Sequence, residues 1–227
     1  MTRDELYHAV GWDQALWGSA LAELLRALAG SVPTSAHALE LGAGDGGLSL
    51  CAVQTFGCRT LCSDRENPKH KVLAHHPHLL GNPLLTFAAL NGLSLDLPDK
   101  SQDLVLFKSM LGALSSWEHQ GKCMQEIWRV LKPGGRLCFL ENARASQVHQ
   151  WARRRWRRWG TTWRYVSLHE MHALLSIFRT YDLKATGYLT AFAPTERLKR
   201  LVWAAERPCM WAIPRRSRYL LYGLAVK

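Results

Sequence analysis

The sequence predicts a doubly wound α/β fold: a mostly parallel sheet of seven strands with helices on both faces. Two observations carry this. Short apolar runs at 37–41, 59–63, 84–87, 103–107 and 136–141 alternate with amphipathic stretches, and strands separated by helices pair in parallel with the helices packed outside. Between the first run and the next helix, residues 38–47 read Ala-Leu-Glu-Leu-Gly-Ala-Gly-Asp-Gly-Gly. A strand, a glycine turn and a helix is how such sheets hold an adenosine-bearing cofactor. Glycines turn sharply and let a ligand approach without a Cβ in the way.

The elements follow in order. Residues 12–28 form an amphipathic helix, with Leu16, Leu21, Leu24, Leu25 and Leu28 on helical spacing. Gly42, Gly44 and Gly47 also satisfy the dinucleotide fingerprint G-x-G-x-x-G, which is weak evidence when it stands alone. The second strand ends in Asp64, 20 residues after Gly44, where a ribose-binding carboxylate is expected. An ordinary strand-end acid is the plain alternative. A later helix ends at Lys132, because Pro133 cannot continue it. Gly134 and Gly135 reverse the chain into the fifth strand. A helix over 167–178, a sixth strand over 183–192 and a seventh over 219–226 complete the pattern.

The glycine string and residues 126–140, Glu-Ile-Trp-Arg-Val-Leu-Lys-Pro-Gly-Gly-Arg-Leu-Cys-Phe-Leu, together resemble class I methyltransferases dependent on S-adenosylmethionine (SAM). The resemblance points to the type 11 branch, which includes quinone-biosynthesis and other small-molecule enzymes. It implies a Rossmann-like sheet whose last strand is antiparallel, SAM as methyl donor and S-adenosylhomocysteine as product. It places Glu40, Gly42, Ala43, Gly44 and Gly46 around the methionine end, and Asp64 and Arg65 at the ribose. Relatives carry Gly-Asp-Ala after strand three, and here Leu90, Asn91 and Gly92 stand instead. The Asn91 carbonyl could accept from the adenine amine, and the Gly92 N–H could meet a ring nitrogen. Lys108 and Ser109 end strand four beside cofactor and acceptor, although Lys108 also reads as a surface lysine. Many relatives have a histidine pair after this strand, where this chain has Gly112 and Ala113. No general base is visible there and no catalytic residue is assigned. Methyl transfer needs alignment above all, so an amine, thiol, or acidic phenol or enol acceptor is favoured. Tyr7, His8, Trp12 and Trp17 fall where an N-terminal cap covers such sites.

The 227 residues suit a single domain, with 1–34 as helical cap and 144–180 as a basic lid. No window approaches the ~18 apolar residues of a membrane span, and the N-terminus lacks a signal peptide pattern. The six scattered cysteines suggest a reduced, cytoplasmic protein with no metal site. Charge is strongly uneven. Residues 1–143 hold 12 basic and 14 acidic side chains, and residues 144–227 hold 17 and 4. The densest part runs through 151–164. On a helix, Ala152, Trp156 and Trp159 share one face, and Arg153, Arg154, Arg157 and Arg158 the other. That pattern fits a packed cap, a peripheral contact with an anionic membrane, a lid over an acidic small substrate, or a nucleic-acid surface. Tyr7, Trp12, Ser109, Arg153 and Trp156 are the acceptor-side candidates. The function expected is methyl transfer to a small-molecule or lipid-like acceptor. RNA modification, or service as a non-catalytic SAM-binding partner subunit, is the alternative. Nucleic acid is the less favoured partner, because no Asn-Pro-Pro-Tyr motif follows strand four. Oligomeric state is left open.

Overall fold

The computed structural model describes residues 9–155 and 163–227. Its strands are β1 (His37–Leu41), β2 (Arg59–Asp64), β3 (Leu85–Ala89), β4 (Gln102–Lys108), β5 (Leu131–Asn142), β6 (Thr180–Thr186) and β7 (Leu220–Val226). They form one sheet in the order β3-β2-β1-β4-β5-β7-β6. The first five run parallel, and β7 lies antiparallel between β5 and β6.

The central strands are buried on both faces, and alternation divides their side chains between two cores. Ala38, Leu104, Leu106, Cys138 and Leu140 pack with α1 (Gln14–Leu28) and α2 (Gly47–Phe56). Leu39, Val105, Phe107, Leu137 and Phe139 face α4 (Trp117–Val130) and α6 (Leu168–Leu175). Between these lie α3 (Lys69–His75), beside β2, and α5 (Gln147–Arg155) after β5. Several helix starts are written locally. Ser116 Oγ accepts from His119 N at 3.1 Å to cap α4. Ser167 and Glu170 make a reciprocal capping box on α6.

The structure corrects several boundaries. The first helix begins at Gln14, because Asp13 adopts φ 46° and its side chain does not cap. The later helix stops at Val130, and Leu131 already pairs with Gln102 ahead of a bulge. The helix expected over 167–178 is α6, ending at Leu175. The sixth strand lies earlier than expected. It ends at Thr186, Gly187 turns with φ 74°, and Thr190–Phe192 is a 3-10 turn. A further helix, α7 (Glu196–Glu206), was not anticipated. Its Leu198 and Leu201 face solvent beside Arg197 and Arg200. The seventh strand begins at Leu220.

Candidate active site

At the carboxyl end of β1 the chain turns through Gly42, Gly44 and Gly46, at φ 65°, 56° and 78°, a region that favours glycine. The three bare positions face different things. A Cβ on Gly42 would press on Met110 Cγ at 2.6 Å, and one on Gly46 on Val72 Cγ1 at 2.7 Å. A Cβ on Gly44 would have nothing within 4 Å. Packing therefore requires Gly42 and Gly46, while Gly44 alone opens outward. Ala43 N donates to Ser63 O at 2.9 Å and Gly46 N to Ala43 O at 2.8 Å, which fixes the loop. Glu40 is buried beneath it. Its carboxylate caps α2, accepting from Leu48 N at 3.2 Å and Ser49 N at 2.7 Å. Burial pushes its pKa up to about 7, against those hydrogen bonds and the Lys108 charge.

Asp64 ends β2 next to this loop. Its Oδ2 accepts from Gly44 N at 2.9 Å and its Oδ1 from Arg65 N at 2.7 Å. The acid 20 residues downstream is thus bonded directly to the open glycine. Arg65 itself is exposed. Leu90 N donates to Asp64 O at 2.8 Å, which sets the next two residues beside the same edge. The Asn91 carbonyl already accepts from Leu93 N at 3.0 Å in an Asx turn, and Gly92 packs on Cys123. Glycine loop, Asp64, Asn91 and Gly92 therefore share one end of the sheet.

Lys108 has a different neighbourhood from Ser109. Its Nζ donates to Ala9 O at 3.2 Å and Val10 O at 2.9 Å, and lies 4.6 Å from the Trp12 ring centroid. Burial lowers its pKa, with Glu40 opposing. It is a clasp for the N-terminal segment, not a surface lysine. That segment lies on the start of α2, where a Cβ on Gly47 would collide with the Ala9 backbone.

Ser109 opens a cavity of about 810 Å³ whose wall includes Trp12, Asp13, Asn142, Arg153 and Tyr165. Ser109 is held at φ 50°, its Oγ accepting from Asn142 Nδ2 at 2.7 Å. The next residue, Met110, is the one that sits on Gly42. Three acceptor-side candidates, Trp12, Ser109 and Arg153, line this one cavity; Tyr7 and Trp156 lie outside the described residues. Arg153 corrects the helix-face expectation. It turns inward, Nη1 donating to Ala143 O at 2.7 Å and Arg144 O at 3.2 Å, with its guanidinium 3.8 Å from the Tyr165 ring centroid. Arg154 is exposed and Ala152 buried, as that expectation required. Gly112 also gains a reason. The Trp163 indole stands on it, where any Cβ would collide with Nε1, and Arg164 N donates to Gly112 O at 2.8 Å.

Sequence reasoning missed three buried groups here. Glu141 is fully buried, its carboxylate accepting from Met110 N at 2.9 Å, Leu111 N at 2.8 Å and Asn142 N at 3.0 Å. Burial raises its pKa to about 7. Asp13 lines the cavity. Tyr219 Oη donates to its Oδ2, its Oδ1 has no hydrogen-bond partner among the described residues, and burial raises its pKa to about 6. His149 is buried against Tyr188 O, at 2.9 Å, and the Phe192 ring. An acid after a strand and a histidine in a basic helix carry no sequence signal for such roles.

Burial lowers the His149 pKa from 6.5 to about 4. The unfolded chain takes the proton first as pH falls, so this group's stabilisation is complete above 6.5 and is lost through 4. At roughly 1.4 kcal/mol per unit the loss reaches about 3 kcal/mol. His149→Gln should flatten that part of the unfolding free energy against pH, measured in urea from pH 7 to 4. Parallel profiles for variant and wild type would refute a buried neutral imidazole.

Comparisons place these features. Residues 39–139 match the profile of the methyltransferase-domain family. A ubiquinone/menaquinone biosynthesis C-methyltransferase from Pseudoalteromonas translucida is 31% identical over 110 residues, covering 46% of this chain and 42% of that protein. A malonyl-[acyl-carrier protein] O-methyltransferase from Methylococcus capsulatus is 35% identical over 136 residues, covering 58% and 47%. The chain spans about half the length of the curated relatives it matches. Among solved structures, a phosphoethanolamine N-methyltransferase from Haemonchus contortus in complex with SAM superposes with a TM-score of 0.67 at 17% identity, over 100% of this chain and 57% of that one. At that identity the likeness is one of fold. Residues 39–139, which hold the glycine loop bonded to Asp64, are thus similar to a methyltransferase domain, and the sheet with β7 reversed has the fold of the solved methyltransferase structure.

Proposed function

We propose that the chain transfers a methyl group from SAM to a small-molecule or lipid-like acceptor. The observation that carries this is the outward-open Gly44 bonded to Asp64, with Ser109 on a cavity wall and its neighbour Met110 packed on Gly42 of the same loop. The residues present fit the cofactor. Gly44 leaves the space a Cβ would fill, and Asp64 keeps lone pairs for ribose hydroxyls. Asn91 and Gly92 flank the same edge toward the adenine, and Glu40 braces the loop from below. When bound, SAM supplies a methyl carbon on a positive sulfur. The chain's part is to align the acceptor. Trp12 and Ser109 stand at the mouth of the cavity, and Lys108 clasps the segment that closes it. In this reading residues 1–34 are the cap and 144–180 the lid of one domain. Calorimetry tests it: SAM and S-adenosylhomocysteine bind at one per chain, and NAD does not. Tight NAD binding without SAM binding would overturn the family of cofactor.

A second observation favours a cytoplasmic protein that sits peripherally on an anionic membrane. Among the described residues no helix is long and apolar enough to cross one. Yet α7 shows Leu198 and Leu201 to solvent, Leu201 at 69% exposure, and Trp211 beyond it is 86% exposed. Exposed Arg197, Arg200 and Arg207 flank them. Apolar anchors rimmed by cations suit an anionic interface, where each basic residue contributes about 1 kcal/mol. The full chain should float with phosphatidylglycerol vesicles at low salt. Leu201→Asp with Trp211→Ser should release it while SAM still binds. A wild type that stays in solution at low salt would remove this reading; retention on bulk tRNA would move it to nucleic acid.

A further inference from the structure

We propose that the cavity behind Ser109 seats its acceptor through an anionic group, a carboxylate or a phosphate, held by the guanidinium of Arg153. The proposal rests on the methyltransferase reading above and names the acceptor class for it.

The charges on the cavity wall do not balance. Arg144, Arg153, Arg154, Arg164 and Lys199 all stand on it, and Asp13 is its one acid among the described residues. Some of these cations are answered from behind. Glu170 takes Arg144 at 2.8 Å and also pairs with Arg164, and Glu196 takes Lys199 at 3.0 Å. Among the described residues Arg153 makes no ion pair, and of the acids only the buried Glu141 carboxyl acts on its charge. Both of its hydrogen bonds use Nη1 and go to backbone carbonyls, and its flat side lies on the Tyr165 ring. Its Nη2 and Nε make no hydrogen bond among the described residues. Yet burial is deep enough to lower its pKa.

A guanidinium placed this way is expensive to keep unless something completes it. A buried cation is ordinarily paired, and the guanidinium fork matches the two oxygens of a carboxylate or phosphate. Stacking on Tyr165 and two bonds through Nη1 fix the plane of the group. The remaining edge is then presented ready-oriented, with little entropy left to lose on binding. The lone acid does not fill this role: among the described residues it makes no ion pair with Arg153, its Oδ2 accepts from Tyr219, and the cation acting on it is Lys199. An anion in the cavity would also sit beside Arg154 and near the doubly shared pair Arg144 and Arg164.

The test is calorimetry on the full chain with S-adenosylhomocysteine present, titrating malonate, inorganic phosphate and monomeric dihexanoyl phosphatidic acid at constant ionic strength. The wild type should bind at least one of these anions. Arg153→Gln should weaken that binding tenfold or more, and Arg153→Lys should recover part of it through charge without the fork. Asp13→Asn, which removes the acid from the wall, should tighten it. Arg155→Gln, exposed and off the wall, should change nothing. Preference among the three titrants separates carboxylate, free phosphate and lipid phosphate. No anion binding in a wild type that binds S-adenosylhomocysteine would overturn the proposal, as would equal affinity in Arg153→Gln. Failure to bind S-adenosylhomocysteine would instead overturn the methyltransferase reading. Unchanged S-adenosylhomocysteine affinity in each variant shows that the fold and cofactor site survive.

Discussion

Replacing Asp64 by alanine should weaken SAM binding about ten- to a hundredfold. The carboxylate has two tasks. It accepts Gly44 N at 2.9 Å and Arg65 N at 2.7 Å, so it shapes the loop and the turn after β2. Its remaining lone pairs lie beside the one glycine of this loop where a Cβ would meet nothing within 4 Å. A hydrogen bond to a charged group contributes roughly 1.5–3 kcal/mol, and 1.4 kcal/mol is a factor of ten. Asp64→Asn keeps one acceptor oxygen and should fall between alanine and wild type. Calorimetry measures the affinity, and far-UV circular dichroism checks the fold. Unchanged affinity in Asp64→Ala would remove Asp64 from the cofactor site.

Replacing Glu141 by alanine should cost about 3–5 kcal/mol of stability. One fully buried side chain accepts three backbone N–H groups, from Met110, Leu111 and Asn142. Each donor left unsatisfied costs about 1–3 kcal/mol, and burial denies them water as a substitute. The effect carries a pH signature. Burial raises the carboxyl from 4.5 to about 7. The folded chain therefore holds the proton more tightly, and this group's contribution is complete below 4.5 and lost as pH rises through 7. The gap in urea-unfolding free energy between wild type and Glu141→Ala should be wider at pH 5 than at pH 7.5. A variant as stable as wild type at both pH values would show that the turn after β4 does not depend on this carboxylate.

Glu141 shows where sequence reading stops. Glu40, Glu141 and Glu206 are all buried, and each closes a chain turn by accepting backbone N–H groups: at the start of α2, at 110–112, and at 188–190. Only Glu40 is legible in the sequence, because it stands in the glycine string. The other two lie far in sequence from the amides they serve, so no local pattern marks them. Lys108 is similar. Its position at the end of β4 was legible, but its partners, Ala9 and Val10, lie 99 and 98 residues upstream. Arg153 shows the converse failure. Helical phase assigned it correctly away from Ala152, but a long side chain can fold back over a short helix onto Tyr165.

By itself the sequence determined the sheet, the glycine loop and the acid that answers it. Those depend on local physics: apolar runs that bury a strand on both faces, glycine where φ is positive, and an acid at the end of the adjacent strand. Tertiary structure alone decided the cavity. It assigned Asp13 to Tyr219, Trp163 to Gly112, and Arg153 to a wall on which cations outnumber the one acid. The reason is that charge balance and free space are properties of residues brought together from distant parts of the chain. A sequence records which charges are present, and only packing decides which of them are left without a partner.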